Sequence, residues 1–386
     1  MKILVLSSLS WSLVNFRGRL LSDLAGAGHE VIACAPDREQ GVLDWLSERG
    51  IGFRQTPMNR AGTNPISDLA VLARYLKLIQ KERPDAVMAY TQKPIIYGGL
   101  ACRILGLKRF FAIMSGLGYV FSDEGSKRPT LRRIVSRIYA AGLRKAEAIF
   151  VFNGDDRPMM LKYGIIGPEH RVVQVPGSGV DISYFAEAPL PEGPPAFVMI
   201  SRLMRDKGVA DYVEAARLVK AEIPNARFTL VGRYEPENPT GYSEEDVARW
   251  VREGLVDHVP ETRDVRPYLA DAHAFVLPSY YREGLPRTIL EALAVGRPVV
   301  TTDMPGCREP IEPGVNGWLV QPKAPPELAA AMIRTVRDRQ TLESMAAAAR
   351  QTAVQKYSVD IVNAKLISEM QLDQATPIAT PALTAG

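Results

Sequence analysis

The sequence has few of the residues that build disulfides, metal centres or membrane spans. Its 386 residues include three cysteines, Cys34, Cys102 and Cys307, which are scattered without a CxxC or Cys/His spacing. We therefore expect reduced thiols in a cytosolic protein and not a disulfide framework or a zinc site. No apolar run approaches the roughly 20 residues that a membrane-spanning helix needs. The opening segment MKILVLSSLS is too short for a signal peptide and predicts a first strand.

The composition is that of a globular protein, but the charge is uneven. Hydrophobic residues make up 46% and charged residues 23%, and the length suffices for two ordinary domains. Residues 1–180 hold 25 Lys+Arg against 15 Asp+Glu, a net charge of +10. Residues 181–386 hold 22 against 28, a net charge of −6, and the two halves sum to +4. The basic half predicts an anionic partner: a nucleic acid, a membrane surface or a phosphorylated acceptor.

Short apolar, β-branched runs alternate with helical patterns in both halves of the chain. The first half contains KILVLSS, HEVIACAP, DAVMAY, RFFAIMSG and AEAIFVFN, and after a Pro-rich stretch the second contains FVMIS, ARFTLVG, HAFVLPS and PVVTTD. This alternation predicts an α/β fold of two Rossmann-like, doubly wound domains. We place them at residues 1–185 and 190–355, followed by a helix over 356–373 that returns to the first domain and a disordered tail over 374–386. No GxGxxG follows either opening strand, which disfavours a dinucleotide oxidoreductase.

One candidate binding loop follows the strand FVMIS. In open α/β sheets, ligands bind at the carboxyl ends of the strands, and phosphates favour helix N-termini. The segment SRLMRDKG carries Arg202 and Lys207 on a loop that a glycine allows to bend. These two cations can clamp a diphosphate. Taken alone, they are equally well explained as two solvated surface charges.

A second candidate loop is YYREGLPRTILE, which follows the strand HAFVLPS. Pro286 suits the first position of a helix, and the free backbone N–H groups nearby predict an anion cradle. The cradle comprises Gly284, Leu285, Pro286, Arg287 and Thr288. Glu283 can accept hydrogen bonds from sugar hydroxyls. Glu291, two turns into the helix, either accepts from the ribose hydroxyls of a nucleotide or pairs with Arg287, four residues before it.

Together these segments resemble the retaining glycosyltransferases of family four. The resemblance covers SRLMRDKG, LPSYYREGLPRTILEALAVGRPVVTTDMPGCRE and GVNGWLV. The family pattern is Arg-x4-Lys-Gly followed by Glu-x7-Glu, and Arg202, Lys207, Glu283 and Glu291 match it in type, order and spacing. The resemblance implies the GT-B architecture, in which two Rossmann-like domains face a central cleft.

The resemblance also implies roles for these residues. Arg202 and Lys207 would hold the donor diphosphate and stabilise its leaving charge, Glu283 would orient the donor sugar, and Glu291 would bind the ribose. The donor is expected to be a UDP-linked sugar, and the departing phosphate to assist the acceptor hydroxyl without a protein nucleophile. The absence of an Asp-x-Asp motif agrees with transfer that needs no metal ion, and we expect no other cofactor.

The first half resembles bacterial enzymes that extend undecaprenyl-diphosphate-linked sugars, through VNFRGRL, TQKPIIYGGLA and SGLGYVF. The resemblance implies that Arg17 and Lys93 meet the diphosphate of a polyprenyl-linked acceptor. Gly116 and Gly118 would let the backbone approach a ligand closely. Gln92 stands where many relatives carry a histidine, and an amide can donate hydrogen bonds but cannot act as a base.

The segment 125–147 predicts a basic amphipathic helix. Its cations are Lys127, Arg128, Arg132, Arg133, Arg137, Arg144 and Lys145, and its apolar residues Leu131, Ile134, Val135, Ile138 and Leu143 recur near helical spacing. Such a helix can lie on anionic lipid with its apolar side inserted, or it can be a packed helix with a solvated basic face. Nucleic acid is disfavoured, because no aromatic–basic recognition pattern accompanies the charge. We expect a cytoplasmic protein on the inner face of the membrane.

Two other functions fit the same architecture. A nucleotide-sugar epimerase would need carboxylate and histidine acid/base groups in the cleft, and none of His29, His170, His258 and His273 falls in SGLGYVF or TQKP. A homologue that binds nucleotide sugars without turnover would keep the fold, but a drifted site should lose some of its motif residues. The intact motif therefore favours a glycosyltransferase.

Overall fold

The computed structural model of the chain describes residues 1–59, 65–121 and 129–373. Within them the chain forms two parallel sheets with helices between most successive strands, which confirms the predicted α/β fold. The predicted disordered tail, residues 374–386, lies outside the described residues, as does the start of the predicted basic segment, residues 125–128.

The first domain is built on a seven-stranded sheet. Its strands are β1 (Lys2–Leu6), β2 (Glu30–Ala35), β3 (Gly52–Gln55), β4 (Ala86–Tyr90), β5 (Phe110–Met114), β6 (Ala148–Val151) and β7 (Val172–Gln174). Its helices are α1 (Ser10–Gly26), α2 (Gln40–Ser47), α3 (Pro65–Glu82), α4 (Gln92–Ile104), α5 (Pro129–Leu143) and α6 (Asp156–Lys162). The strand order is β3-β2-β1-β4-β5-β6-β7, with every pairing parallel. Because the order changes direction between β1 and β4, a crevice opens at their carboxyl ends.

The second domain repeats this plan on six strands. They are β8 (Ala196–Ile200), β9 (Arg227–Val231), β10 (Asp257–Val259), β11 (Ala274–Leu277), β12 (Val299–Thr302) and β13 (Gly317–Val320). The helices that follow are α7 (Val209–Glu222), α8 (Glu244–Arg252), α9 (Arg266–Ala270), α10 (Arg287–Ala294), α11 (Pro325–Val336), α12 (Arg339–Thr352) and α13 (Val359–Glu369). The strand order is β10-β9-β8-β11-β12-β13, again parallel throughout. The change of direction here falls between β8 and β11.

The apolar runs become central strands because both faces of each sheet are covered. In β1, Ile3 and Val5 pack into one core cluster, while Leu4 and Leu6 pack into another on the opposite face. This alternation follows from the two-residue period of a strand. A parallel sheet covered on both sides needs apolar residues at every position, which is why these strands are continuous hydrophobic runs.

The chain crosses between the domains twice, and the two crossings are hydrogen-bonded to each other. The N–H of Val180 donates to the carbonyl of Tyr357 at 2.9 Å, and the N–H of Val359 donates to the carbonyl of Val180 at 2.9 Å. Gly179 allows this contact, because a Cβ atom there would lie 2.6 Å from the Cα of Val359. Val180 and Phe185 pack in the core of the second domain, so that domain starts earlier than the boundary placed at residues 185–190.

Helix α13 follows the second crossing and packs on the first domain. Leu366 and Met370 are fully buried in a core cluster of that domain. The side-chain amide of Asn363 donates to Asp23 of α1 at 2.8 Å. The helix begins at Val359, after a π-helical turn, and not at the expected residue 356. The C-terminal segment is therefore part of the first domain's hydrophobic core.

Leu366→Ala tests how much this helix contributes to stability. Removing a fully buried leucine leaves a cavity, so we expect the free energy of unfolding to fall by about 2–5 kcal/mol, measured by urea denaturation. The control is Ile361→Ala on the same helix, whose side chain is 43% exposed; it should change stability by less than about 0.5 kcal/mol. Equal effects of the two substitutions would show that α13 does not depend on this packing.

Candidate active site

Loops from both sheets face each other across a cleft of about 1150 Å³. The first domain contributes residues that follow β1 and β4, and the second contributes residues that follow β8 and β11 together with the start of α10. The cleft therefore joins the points where the two sheets change direction. Of the predicted site residues, Arg17, Arg202, Lys207, Glu283, Gly284, Leu285, Pro286, Arg287, Thr288 and Glu291 line it. These are all the predicted donor-binding residues and one predicted acceptor-binding residue.

Lys207 and Glu283 form an ion pair on the wall of this cleft. Their side chains are 15% and 12% exposed, and Ser279 Oγ donates to the same carboxylate oxygen at 3.1 Å. Gly208, with a φ of 75°, lets the loop after β8 lie against the loop after β11, because a Cβ atom there would sit 2.1 Å from the carbonyl oxygen of Pro278. The two loops thus hold a cation and a carboxylate in contact with each other and beside the cleft.

Arg202, at the start of the first of these loops, is less constrained. Its side chain is half exposed, and its guanidinium lies 3.9 Å from the carboxylate of Glu235. An ion pair at that separation near solvent contributes little free energy. The guanidinium can therefore turn toward an anion in the cleft at small cost.

Glu291 is buried and paired with Arg287. The carboxylate lies 3.0 Å from Nε of Arg287. Burial raises the pKa of Glu291, and the positive charge of Arg287 opposes that effect. Arg287 also donates to the backbone carbonyl of Asn15 in the first domain. The sequence left two interpretations of Glu291 open. The structure contains the pairing with Arg287, and Glu291 also lines the cleft.

Helix α10 presents its N-terminus to the cleft. The helix begins at Arg287, with Pro286 as its N-cap. Pro286 was predicted to be the first helical residue, and it lies one position earlier. The first N–H groups of a helix have no partner within the helix, and they give that end a partial positive charge. Arg287 and Thr288 supply such groups where an anion can accept from them.

Arg17, on α1, is a buried cation with unsatisfied hydrogen-bonding capacity. Its side chain is 3% exposed, and its Nε and Nη1 have no hydrogen-bond partner among the described residues. The guanidinium lies 5.6 Å from the ring centroids of both Tyr90 and Phe152. Burial lowers the pKa of Arg17 to about 10, and nearby Arg287 acts in the same direction. Arg17 still carries its charge at neutral pH, so an anion in the cleft would offset the cost of burying it.

Lys93 does not join the cleft. Its Nζ pairs with Oδ1 of Asp68 at 2.7 Å, and the hydroxyl of Tyr97 donates to the other oxygen of that carboxylate at 2.9 Å. Lys93 and Asp68 are both largely buried. The expected contact of Lys93 with an acceptor diphosphate is thus replaced by a pairing inside the first domain.

Gln92, Gly116 and Gly118 line a smaller neighbouring cavity. A Cβ atom at Gly116, whose φ is 112°, would lie 3.0 Å from the backbone nitrogen of Gly284, and one at Gly118 would lie 1.8 Å from Nε2 of Gln92. Gln92 Nε2 in turn donates to the carbonyl of Leu117 at 3.2 Å. The glycines therefore allow close approach of protein atoms, where we expected close approach of a ligand.

Asn153 joins the two domains and was not anticipated from the sequence. It follows β6 by two residues, and its Nδ2 donates to the carbonyls of Glu283 and Gly284 at 3.1 and 3.0 Å. The same nitrogen lies 3.1 Å from Oδ2 of Asp156. A polar residue directly after a buried strand, as in AIFVFN, is the signal that could have identified it.

Asp156 is a buried carboxyl group beside this junction. Burial raises its pKa from 3.8 to about 7, while Arg282 and the hydrogen bond from Asn153 oppose the shift. Arg282 belongs to the second domain and Asp156 to the first, so the protonation of Asp156 is coupled to the contact between the domains.

The apolar side of helix α5 packs against the protein. Tyr139 and Leu143 are buried in a core cluster of the first domain, and Val135 and Ile138 pack against that cluster. Of the predicted apolar residues, Ile134 remains 51% exposed. Of the two interpretations of this helix left open by the sequence, the structure contains the packed helix, because most of the apolar side is covered by the first domain.

Three further features of the described residues bear on the sequence predictions. Cys34, Cys102 and Cys307 are buried free thiols. Among residues 1–59, 65–121 and 129–373, no three His, Cys, Asp or Glu side chains are grouped as metal ligands. No helix in those ranges is long and apolar enough to cross a membrane.

Two Rossmann-like domains with cations and carboxylates on facing loops define a glycosyltransferase of the GT-B class. Residues 15–177 match the family described as "Glycosyl transferase 4-like domain", and residues 194–338 match the family described as "Glycosyl transferases group 1". The chain is a glycosyltransferase with one of these two family domains in each half. This confirms the resemblance found in the sequence.

Individual relatives cover nearly the whole chain. One is N,N'-diacetylbacillosaminyl-diphospho-undecaprenol alpha-1,3-N-acetylgalactosaminyltransferase from Campylobacter jejuni, 26% identical over 375 residues that cover 94% of this chain and 96% of that enzyme. Another is UDP-Gal:alpha-D-GlcNAc-diphosphoundecaprenol alpha-1,3-galactosyltransferase from Escherichia coli, 24% identical and covering 83% and 84%. The crystal structure of Anabaena HepE in complex with UDP and glucose has a TM-score of 0.75 at 20% identity, covering 96% of this chain and 99% of that one.

The raised pKa of Asp156 predicts a pH dependence of stability. The folded protein binds this proton below about pH 7 and the unfolded chain only below about pH 4, so this group lowers the free energy of unfolding as pH rises between those values. A shift of about three units corresponds to at most about 4 kcal/mol. Asp156→Asn should flatten the pH profile of urea unfolding between pH 4 and 7, whereas the control Asp257→Asn, at an exposed position of β10 in the second domain, should not. Parallel profiles for wild type and Asp156→Asn would contradict the assignment.

Proposed function

We propose that this glycosyltransferase moves a hexose or N-acetylhexosamine from a UDP-linked donor to a saccharide carried on polyprenyl diphosphate, with retention of configuration. The observation that carries the proposal is the Lys207–Glu283 pair on two adjoining loops of the second domain, in one cleft with Arg202 and the N-terminus of α10. The names of two relatives specify diphospho-undecaprenol acceptors, and HepE was crystallised with UDP.

The donor diphosphate is placed against the second domain. Arg202 and Lys207 supply two positive charges from one loop, and the free N–H groups at the start of α10 supply the positive end of a helix dipole. The two elements approach a diphosphate from different loops of the same cleft. Because these groups stabilise negative charge on the departing diphosphate, the site can promote transfer without a bound metal ion.

Glu291 is assigned to the ribose of the donor. A buried carboxylate is stable only with partners, and here Arg287 supplies one of them at 3.0 Å. The carboxylate has further acceptor capacity, and two ribose hydroxyls can use it while the Arg287 contact remains. Arg287 in this scheme holds Glu291 in position and also joins α10 to the first domain through Asn15.

Glu283 is assigned to the transferred sugar as an orienting group and not as a nucleophile. Lys207 and Ser279 already hold its carboxylate, which fixes its direction. In the proposed reaction the bond from the anomeric carbon to the donor phosphate breaks as a bond from the acceptor oxygen forms on the same face. The proton of the acceptor hydroxyl passes to an oxygen of the departing diphosphate. The reaction therefore forms no covalent bond between the sugar and a side chain of the protein.

Arg17 is assigned to the diphosphate of the acceptor. It is a cation in the first-domain wall of the cleft, and its Nε and Nη1 lack partners within the part of the chain that the structure describes. A diphosphate can accept from a guanidinium through two oxygens at once. Gln92, which lines the adjoining cavity, is assigned a hydrogen bond to a sugar hydroxyl of a substrate. Lys93 is left out of this assignment because Asp68 neutralises it.

The basic side of helix α5 is proposed to meet the membrane surface that carries the acceptor. Arg133 and Arg137 are exposed on one side of the helix beside Ile134, and Arg132 lies 4.7 Å from the ring centroid of Tyr163. Because the apolar side of α5 is packed against the protein, the contact would be mainly electrostatic, at about 1 kcal/mol for each cation near an anionic surface. This places the enzyme on the inner face of the cytoplasmic membrane.

Lys207→Ala tests the donor site. Loss of a charge that stabilises the leaving diphosphate should lower the rate of sugar transfer by at least about 100-fold, measured with the UDP-sugar that the wild type uses fastest. Lys220→Ala, on α7 and outside the cleft, is the matched control and should keep wild-type activity. Normal turnover by a folded Lys207→Ala variant would refute the assigned role.

Charge reversal on α5 tests the membrane contact. Replacing Arg132, Arg133 and Arg137 with glutamate should abolish flotation with phosphatidylglycerol vesicles and leave the low binding to neutral vesicles unchanged. Reversing three surface arginines of the second domain, Arg249, Arg252 and Arg337, controls for net charge. If the two triple variants float equally well, α5 is not the contact surface.

A further inference from the structure

A second cavity, of about 220 Å³, adjoins the cleft between the domains. It shares Thr91, Ser115, Glu283 and Gly284 with the cleft, so the two spaces meet beside Glu283. Its volume lies below the roughly 300 Å³ at which pockets for drug-sized ligands begin. The cavity therefore suits a single ring and not an extended chain.

Several polar atoms of the residues that line this cavity have no partner. Tyr139 is 1% exposed, and its hydroxyl has no hydrogen-bond partner among the described residues. The same holds for Oγ1 of Thr91 and Nε of Arg282. A buried polar atom that makes no hydrogen bond costs about 1–3 kcal/mol, and such atoms are rare in folded proteins. Three of them border one cavity, where the hydroxyls of a polar ligand can complete their hydrogen bonding.

Thr91 also has a strained backbone. Its φ is 69° and its ψ is 157°, a region that is essentially restricted to glycine. Threonine is a favoured N-cap residue, yet Thr91 stands at the N-cap of α4 without making the side-chain capping hydrogen bond. The strain is thus not offset by capping, and it keeps a hydroxyl group beside the cavity. Strain of this kind concentrates at functional sites.

The chemistry of the lining favours a neutral, hydroxylated ligand. Ile95 and Met114 provide buried apolar surface, against which the C–H face of a ring can pack. The hydroxyls of Thr91 and Tyr139 can both donate and accept. The carboxylate of Glu283 accepts from hydroxyls and the guanidinium of Arg282 donates to them, and the opposite charges of these two groups offset each other.

We propose that this cavity is the subsite for the sugar ring next to the reacting bond, and that Tyr139 and Thr91 bind its hydroxyls. The inference rests on the proposed function, because the proposed donor and acceptor both bring a sugar ring to the reacting bond beside Glu283. The ring belongs either to the donor or to the acceptor, and both present the same hydroxyl chemistry.

The test uses Tyr139→Phe and Thr91→Val, which remove one hydroxyl each and keep the side-chain volume. Loss of one hydrogen bond should weaken binding about 3- to 10-fold. Calorimetry measures the Kd of UDP and of UDP-glucose, UDP-galactose and their N-acetylamino analogues, and steady-state kinetics measures the KM of a short-chain polyprenyl-diphosphate saccharide. Tyr75→Phe, a fully buried tyrosine of the same domain that lines neither cavity, is the matched control.

A weaker affinity for the UDP-sugar with unchanged affinity for UDP assigns the subsite to the donor ring. A raised acceptor KM with unchanged donor affinity assigns it to the acceptor ring, and either result supports the inference. Unchanged values for both variants, or an equal loss of UDP and UDP-sugar affinity, would overturn it. A wild-type protein that binds no UDP-sugar and transfers nothing would instead refute the proposed function itself.

Discussion

The site depends on one backbone contact between the domains. A Cβ atom at Gly284 would lie 2.3 Å from the carbonyl oxygen of Ser115, so the two loops touch main chain to main chain. Asn153 reinforces the contact by donating to the carbonyls of Glu283 and Gly284. Both loops leave sheets near a change of strand direction, and their contact turns two separate crevices into a single cleft. The position of Glu283 follows from this, since its backbone is fixed on one side while its carboxylate meets Lys207 on the other.

The cleft has more positive charge than its own carboxylates neutralise. Lys207 and Arg287 have close carboxylate partners, whereas Arg202 has a distant one and Arg17 has none among the described residues. Both proposed substrates carry a diphosphate. An excess of cations in a partly buried cleft raises the local concentration of such anions and speeds their encounter with the protein. The uneven charge of the sequence is consistent with an unpaired cation such as Arg17 in the first-domain wall, because residues 1–180 carry a net charge of +10 and residues 181–386 a net charge of −6.

Features that depend on local pattern could be predicted from the sequence. The apolar runs predicted the central strands of both sheets but not the edge strands β3, β7, β10 and β13. The predicted positions of Arg202, Lys207, Glu283 and Glu291 beside one cleft are also found in the structure, because a position after a strand fixes which edge of the sheet a residue reaches. Partners that are distant in the chain could not be predicted. The pairing of Lys93 with Asp68 and the unsatisfied hydroxyl of Tyr139 depend on tertiary packing. An amphipathic pattern, as in α5, likewise does not distinguish a lipid surface from a protein core.

The hydrogen bonds between the two segments that connect the domains limit how the domains can move. Val180 is hydrogen-bonded to both Tyr357 and Val359, so the two connections form a single hinge region and cannot shift independently while these hydrogen bonds hold. A rotation about this hinge that widened the cleft would have to break the hydrogen bonds of Asn153 to Glu283 and Gly284.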